Sequence, residues 1–196
     1  MTVAFDTMRT FFALAAITAN VLTVAIVVTA VATRRSERNA FEVLRGATLW
    51  LASGVAIIAT LGSLYLSESV GLVPCQLCWY QRIAMYPLAV ILPIAAIRRD
   101  PMVRLPAATL ATIGAGIAAY HRLIQAFPSL DSGSCSAVGP SCSSPLIKEF
   151  GFVTIPYMAL SAFLLILAFI WVDRRNSATA VPSLDTIDQA DAESQA

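Results

Sequence analysis

Five apolar stretches, each about as long as a membrane is thick, limit what this chain can fold into more than any other feature. They run over about Thr10–Ala32, Gly46–Leu66, Trp79–Ile97, Leu105–Phe127 and Phe152–Val172. A helix rises about 1.5 Å per residue, so roughly 20 apolar residues cross the hydrocarbon core. Charged residues make up only 13% of the 196 and hydrophobic residues 58%, whereas a soluble domain carries about a quarter charged residues. The charges also gather between the stretches. The expected fold is an all-α integral membrane protein, and the short connections favour one compact bundle. No Lys/Arg patch suits a phosphate backbone, so no nucleic-acid partner is expected.

Arginines set the expected orientation. Arg34, Arg35, Arg38 and Arg45 lie between stretches one and two, Arg98, Arg99 and Arg104 between three and four, and Arg174 and Arg175 after five. The positive-inside rule puts all three groups in the cytoplasm. The loops Ser67–Cys78 and Pro128–Gly151 then face outward, and the C-terminus faces inward. Stretch one also ends in Ala30-Val31-Ala32, which has the small residues of a cleavage site. Its length and its poorly basic start, with Asp6 ahead of Arg9, fit an uncleaved helix better. Residues 173–196 are polar and acidic, have little to bury and are expected to be a disordered cytoplasmic tail.

The four cysteines, Cys75, Cys78, Cys135 and Cys142, all fall in the two loops assigned to the outside, where disulfides persist. Cys75-Gln76-Leu77-Cys78 is a C-x-x-C motif, preceded by Pro74 and opening stretch three. A helix N-terminus carries partial positive charge and free N–H groups that favour a thiolate. Cys135 and Cys142 are separated by six residues in a Ser/Gly/Pro loop, which can close a disulfide and meet a protein partner. Two other uses compete: inert structural disulfides, or a four-cysteine zinc site. For zinc, C-x6-C is looser than usual spacing. Redox work fits the outward-facing C-x-x-C with a second pair best.

Polar residues at the membrane edge are the other candidates. Arg82 follows Cys78 by four residues, on the same helix face one turn deeper. It either snorkels to headgroups or acts as a fixed cation beside the thiol chemistry. His121, the single histidine, either caps a helix end or supplies a hydrogen bond or proton. Trp79, Tyr80 and Tyr86 suit an aromatic belt or packing against a flat ring. Pro87 and Pro93 should kink stretch three, and Pro156 should bend stretch five. Ser144–Phe152 reads as a short amphipathic stretch able to lie on the surface.

Cys75-Gln-Leu-Cys-Trp-Tyr-Gln-Arg82 resembles the C-x-x-C-x-x-x-R signature of the disulfide bond formation protein B family, DsbB. Tyr120-His121-Arg-Leu-Ile-Gln125-Ala-Phe-Pro128 resembles the family's segment ahead of its second cysteine pair. Glu149-Phe-Gly-Phe-Val-Thr-Ile-Pro156 resembles the start of its last helix. The short loop around Cys135 and Cys142 is similar to the BdbC-like branch, and the resemblance covers about Gly46–Val172.

The resemblance implies a four-helix transmembrane bundle of DsbB type over 46–172; the additional transmembrane helix and basic linker over 1–45 depart from the family pattern. It implies a bound quinone, ubiquinone or menaquinone, and a DsbA-like thioredoxin-fold partner. Cys135 matches the cysteine that the partner attacks, Cys142 its mate, and Cys75 and Cys78 the quinone-proximal pair. Arg82 matches the quinone-site arginine, and His121 a histidine near that site. Gln81 stands where some members have an acid. Every candidate redox residue lies beyond Gly46, so the first helix is expected to be dispensable for thiol oxidation.

The function expected is that of a quinone-dependent thiol oxidase in the cell membrane, drawing on the lipid-borne quinone pool. Its rivals are a reductase running electrons outward, since potentials set direction, and a membrane scaffold with structural disulfides.

Overall fold

In hydrocarbon each spanning segment must satisfy its own backbone N–H and C=O groups, which makes an apolar stretch a helix. The computed structural model describes residues 2–32, 47–131 and 140–178. Among these residues every stretch forms one: α1 (Thr2–Ala32), α2 (Thr48–Glu68), α3 (Gln76–Arg98), α4 (Arg104–Ala126) and α5 (Ile155–Ala178). All five are long and apolar enough to cross a membrane. Large apolar side chains such as Val21, Ile58, Ile83, Val90 and Ile113 stay exposed on the helix surfaces, as a lipid-facing surface requires.

Helices α2, α3, α4 and α5 close a ring: α2 packs on α3 and α5, α3 on α4, and α4 on α5. Helix α1 lies outside this ring against α5. Small residues let the backbones approach. Ala52, Ala56, Ala107, Ala111 and Ala118 are fully buried. At Gly114 an added Cβ would lie 2.3 Å from the ring of Phe163, itself wholly buried. Lipid tails are as apolar as leucine, so close van der Waals contact rather than hydrophobicity holds such helices together.

Three local expectations change. Helix α5 does not stop before Asp173 but runs on to Ala178. Asp173 is buried: it pairs with Arg104 Nε at 2.6 Å and accepts from Thr48 Oγ1 at 2.7 Å. Its charge is thus neutralised inside the bundle, and only residues beyond 178 fall outside the described part of the tail. Pro156 is the second residue of α5; in a first turn its missing N–H has no helical partner to lose, so no bend is needed there. Part of Ser144–Phe152 enters a hairpin, with β1 (Lys148–Glu149) antiparallel to β2 (Val153–Thr154) and positive φ at Phe150 and Gly151 in the turn. Helix α3 runs unbroken through Pro87 and Pro93.

Replacing Asp173 with alanine should remove the ion pair to Arg104 and the acceptor of the Thr48 hydroxyl. Breaking such a pair inside a fold costs about 3 kcal/mol. Thermal unfolding in detergent should show the loss, with Asp173→Asn intermediate because it can still accept from Thr48.

Candidate functional site

Pro74 has no N–H to donate and holds the chain extended, and α3 starts directly after Cys75. Cys75 is the N-cap residue of α3, and Cys78 lies one turn in. Their sulfurs are 2.8 Å apart, so a small rotation brings them to the bonded distance of about 2.05 Å. Cys75 is 4% exposed. The Cys78 thiol beside it holds the Cys75 thiol far below its usual range, at about 4; burial opposes this and the His121 ring adds to it.

His121, near the end of α4, is 1% exposed, so it neither caps the helix toward solvent nor meets headgroups. Its Nε2 lies 3.7 Å from Cys75 Sγ and 3.2 Å from the carbonyl oxygen of Cys142. Its Nδ1 faces Gln81 Nε2 at 3.1 Å. With the Gln81 amide donating to Nδ1, the ring proton sits on Nε2, toward both cysteines.

Cys142 is 1% exposed and disulfide-bonded. Its sulfur, that of Cys75 and a ring nitrogen of His121 all lie within 4.8 Å of one another. Three such atoms could ligate a metal, but a sulfur held in a disulfide offers no thiolate. The zinc alternative therefore loses a ligand. Cys135 lies outside the described residues.

The opposite side of the C-x-x-C motif faces a cavity of about 520 Å³, within the usual range for a small-molecule site. Cys78, Gln81 and Arg82 line it, and most of the rest is apolar, including Val55, Met85 and Leu165. Arg82 does not snorkel away. Its Nη2 donates to the Ser63 carbonyl at 3.1 Å and to Ser67 Oγ, and its guanidinium carbon is 5.4 Å from the centre of the Trp79 ring. These contacts fix the cation at the cavity edge. Tyr86 also lines the cavity, whereas Trp79 and Tyr80 are half exposed and do not.

Cys75 and Cys78 thus face two ways, one toward Cys142 and His121, the other toward the cavity and Arg82. The resemblance grouped His121 with Arg82, but His121 is not among the cavity-lining residues; its ring stands between the two cysteine loops. Residues 45–172 match the family model described as disulfide bond formation protein DsbB. The chain belongs to the DsbB family. Disulfide bond formation protein C of Bacillus subtilis (strain 168) is 49% identical over 115 residues, 59% of this chain and 83% of that protein. A probable disulfide formation protein C 1 of Bacillus anthracis is 43% identical over 118 residues, 60% of this chain and 85% of its own length. A probable disulfide formation protein of Metapseudomonas resinovorans is 43% identical over 130 residues, 65% and 88% of the two chains. No solved structure matches the chain significantly. The family and the five long apolar helices make this a multi-pass membrane protein of the disulfide-forming, oxidoreductase kind, of the DsbB family's BdbC-like branch.

Sequence reasoning found Cys78 and Arg82 through their spacing on one helix face. It missed Ser63 and Ser67, because contacts between helices leave no trace in spacing. It noted Gln81 only as a departure from the family pattern, without its bond to His121.

Proposed function

We propose that the chain is a membrane thiol:quinone oxidoreductase. It reoxidises an extracytoplasmic, DsbA-like dithiol protein of thioredoxin fold and passes the electrons through its two cysteine pairs toward ubiquinone or menaquinone. The observation that carries this reading is the two-way placement of Cys75 and Cys78, between the Cys142 sulfur and an apolar cavity edged by a cation. An inert disulfide scaffold has no use for that arrangement.

A partner thiolate attacks Cys135 of a Cys135–Cys142 disulfide, forming a mixed disulfide and freeing Cys142 as a thiolate. The second partner thiol resolves the mixed disulfide and frees Cys135. Cys142 attacks Cys75, which breaks the Cys75–Cys78 bond and leaves Cys78 as a thiolate at the cavity edge. Cys135 then attacks Cys142, restoring that disulfide and releasing Cys75. Two electrons and two protons have moved from the partner to Cys75 and Cys78. The oxidising equivalent that returns this pair to a disulfide is what a bound quinone supplies, a two-electron, two-proton acceptor. The cavity fits one: its apolar walls suit an isoprenoid tail, and Arg82 and Cys78 would hold the polar head, where a fixed cation favours developing negative charge.

His121 belongs to the exchange half of this scheme, with Nε2–H placed to hydrogen-bond the Cys75 sulfur. His121→Phe should slow transfer between the pairs by about a hundredfold, the scale of a lost positioned proton donor. Its quinone KM should stay within about twofold, since the ring is outside the cavity. Rapid-quench thiol trapping separates these two effects.

The cysteine loops face outward in this reading. An impermeant maleimide added to reduced intact cells should label cysteines in both loops. Labelling only after the cytoplasmic side is opened would invert the topology. The function itself is tested with purified full-length protein and a reduced thioredoxin-fold dithiol protein. Dithiol oxidation should depend on added quinone and vanish in Cys75→Ser. Equal oxidation without quinone under anaerobic conditions would overturn the reading.

A further inference from the structure

Helix α1 lies outside the residues 45–172 that match the family, yet it is fastened to the bundle along its whole length. At the cysteine end Arg9 pairs with Glu149. Midway, Asn20 Nδ2 donates to the Tyr157 hydroxyl at 2.9 Å and to Ser161 Oγ at 2.7 Å. At the opposite end Arg175 donates to the Ala30 carbonyl at 3.0 Å. A membrane helix serving only as an anchor needs no such polar contacts to α5.

The same helix forms one side of the cavity that holds Cys78 and Arg82, through residues including Phe12, Ala16, Thr18, Ala19 and Leu22. Phe12 closes tightly over α2: a Cβ added at Gly62 would lie 2.6 Å from its ring. Thr18 is the one polar lining residue on α1, and its hydroxyl is spent on the Leu14 carbonyl at 2.9 Å. The α1 side therefore offers hydrocarbon and no free polar group, while the polar groups sit on α3 and, at Ser63, on α2.

We propose that α1 is the lateral wall of the quinone site and that its small and aromatic residues, Phe12, Ala16 and Ala19, select among quinones by their isoprenoid tails. This rests on the thiol:quinone reading above. The polar head belongs at the Arg82 end, so the hydrocarbon side is left for the tail. Without α1 that side of the cavity would open to lipid, where any tail is accepted alike. The first helix is then not dispensable: a chain lacking residues 1–40 should keep thiol exchange and lose selective quinone use.

The test uses full-length protein and a menaquinone analogue with a photoreactive diazirine on its tail. In the wild-type chain the label should fall within residues 11–22 and be displaced by excess unlabelled menaquinone. Ala19→Phe should weaken equilibrium binding of the tailed quinone by about tenfold, the scale of a misfit in an apolar pocket. Binding of menadione, which has no tail, should stay within about twofold. Label confined to α2–α5, or unchanged tailed-quinone binding by folded Ala19→Phe, overturns the role of α1 while leaving the quinone reading in place. A wild-type chain that binds no quinone overturns both. Should Ala19→Phe fail to fold, the labelling of the wild-type chain decides alone.

Discussion

Replacing Cys78 with serine is expected to lock Cys75 onto Cys142 and abolish turnover. The two sulfurs already lie within 4.8 Å of each other. Cys75 is held as a thiolate-prone thiol, at about 4, by Cys78 first and His121 second. In the variant the Cys78 contribution is lost, and the His121 ring and the helix N-terminus are what still favour the Cys75 thiolate. The Cys75 thiolate attacks Cys142 in its disulfide, a Cys75–Cys142 bond forms, and the former partner sulfur leaves as a thiolate. No oxidant is needed. In the intact chain Cys78 would attack Cys75, forming the Cys75–Cys78 bond and freeing Cys142 as a thiolate; serine cannot, so only return of the displaced sulfur to Cys142 undoes the link. Non-reducing peptide mapping should find the Cys75–Cys142 link as the dominant species, and turnover should fall to background. A Cys78→Ser chain whose Cys75 stays a free thiol would mean that the pairs do not communicate.

Arg82→Gln is expected to raise the KM for quinone roughly thirtyfold while leaving exchange between the cysteine pairs within about threefold. A hydrogen bond to a charged group is worth about 2 kcal/mol, and 1.4 kcal/mol is about tenfold in affinity. The cation lines the cavity and is held by Ser63 and Ser67 on α2, so its charge is aimed rather than free to swing into water. Arg82→Lys keeps the charge but not the planar guanidinium, whose Nη2 donates to both α2 oxygens, and should fall between. Steady-state rates over a range of quinone concentrations read the first effect, and rapid-quench trapping the second. Normal quinone kinetics in folded Arg82→Gln would return Arg82 to a purely structural strap between α2 and α3.

Much of the fold was legible because lipid imposes a simple demand: a long apolar run must become a helix. All five helices follow from that. The end of α5 did not, since Asp173 looks like the start of a polar tail. Its neutralising partners, Arg104 and Thr48, come from other helices, and pairing across a bundle has no sequence period. The site was legible where chemistry follows helix spacing, as from Cys75 through Cys78 to Arg82. It was opaque where chain segments meet. The lone histidine could be singled out, but not its place between Cys75 and the Cys142 carbonyl. The extra helix could be counted, but which cavity it borders depends on packing against α5 and over Gly62.

The central claim is that electrons pass from the cysteine pairs to quinone, and anaerobic thiol trapping in native membranes tests it most directly. Membranes are reduced, freed of reductant, and split into samples with and without added quinone before acid quench and alkylation. The account predicts that Cys75 and Cys78 become oxidised within the quinone sample alone, with one quinone reduced for each disulfide formed. A cysteine redox state that is the same in both samples would contradict it.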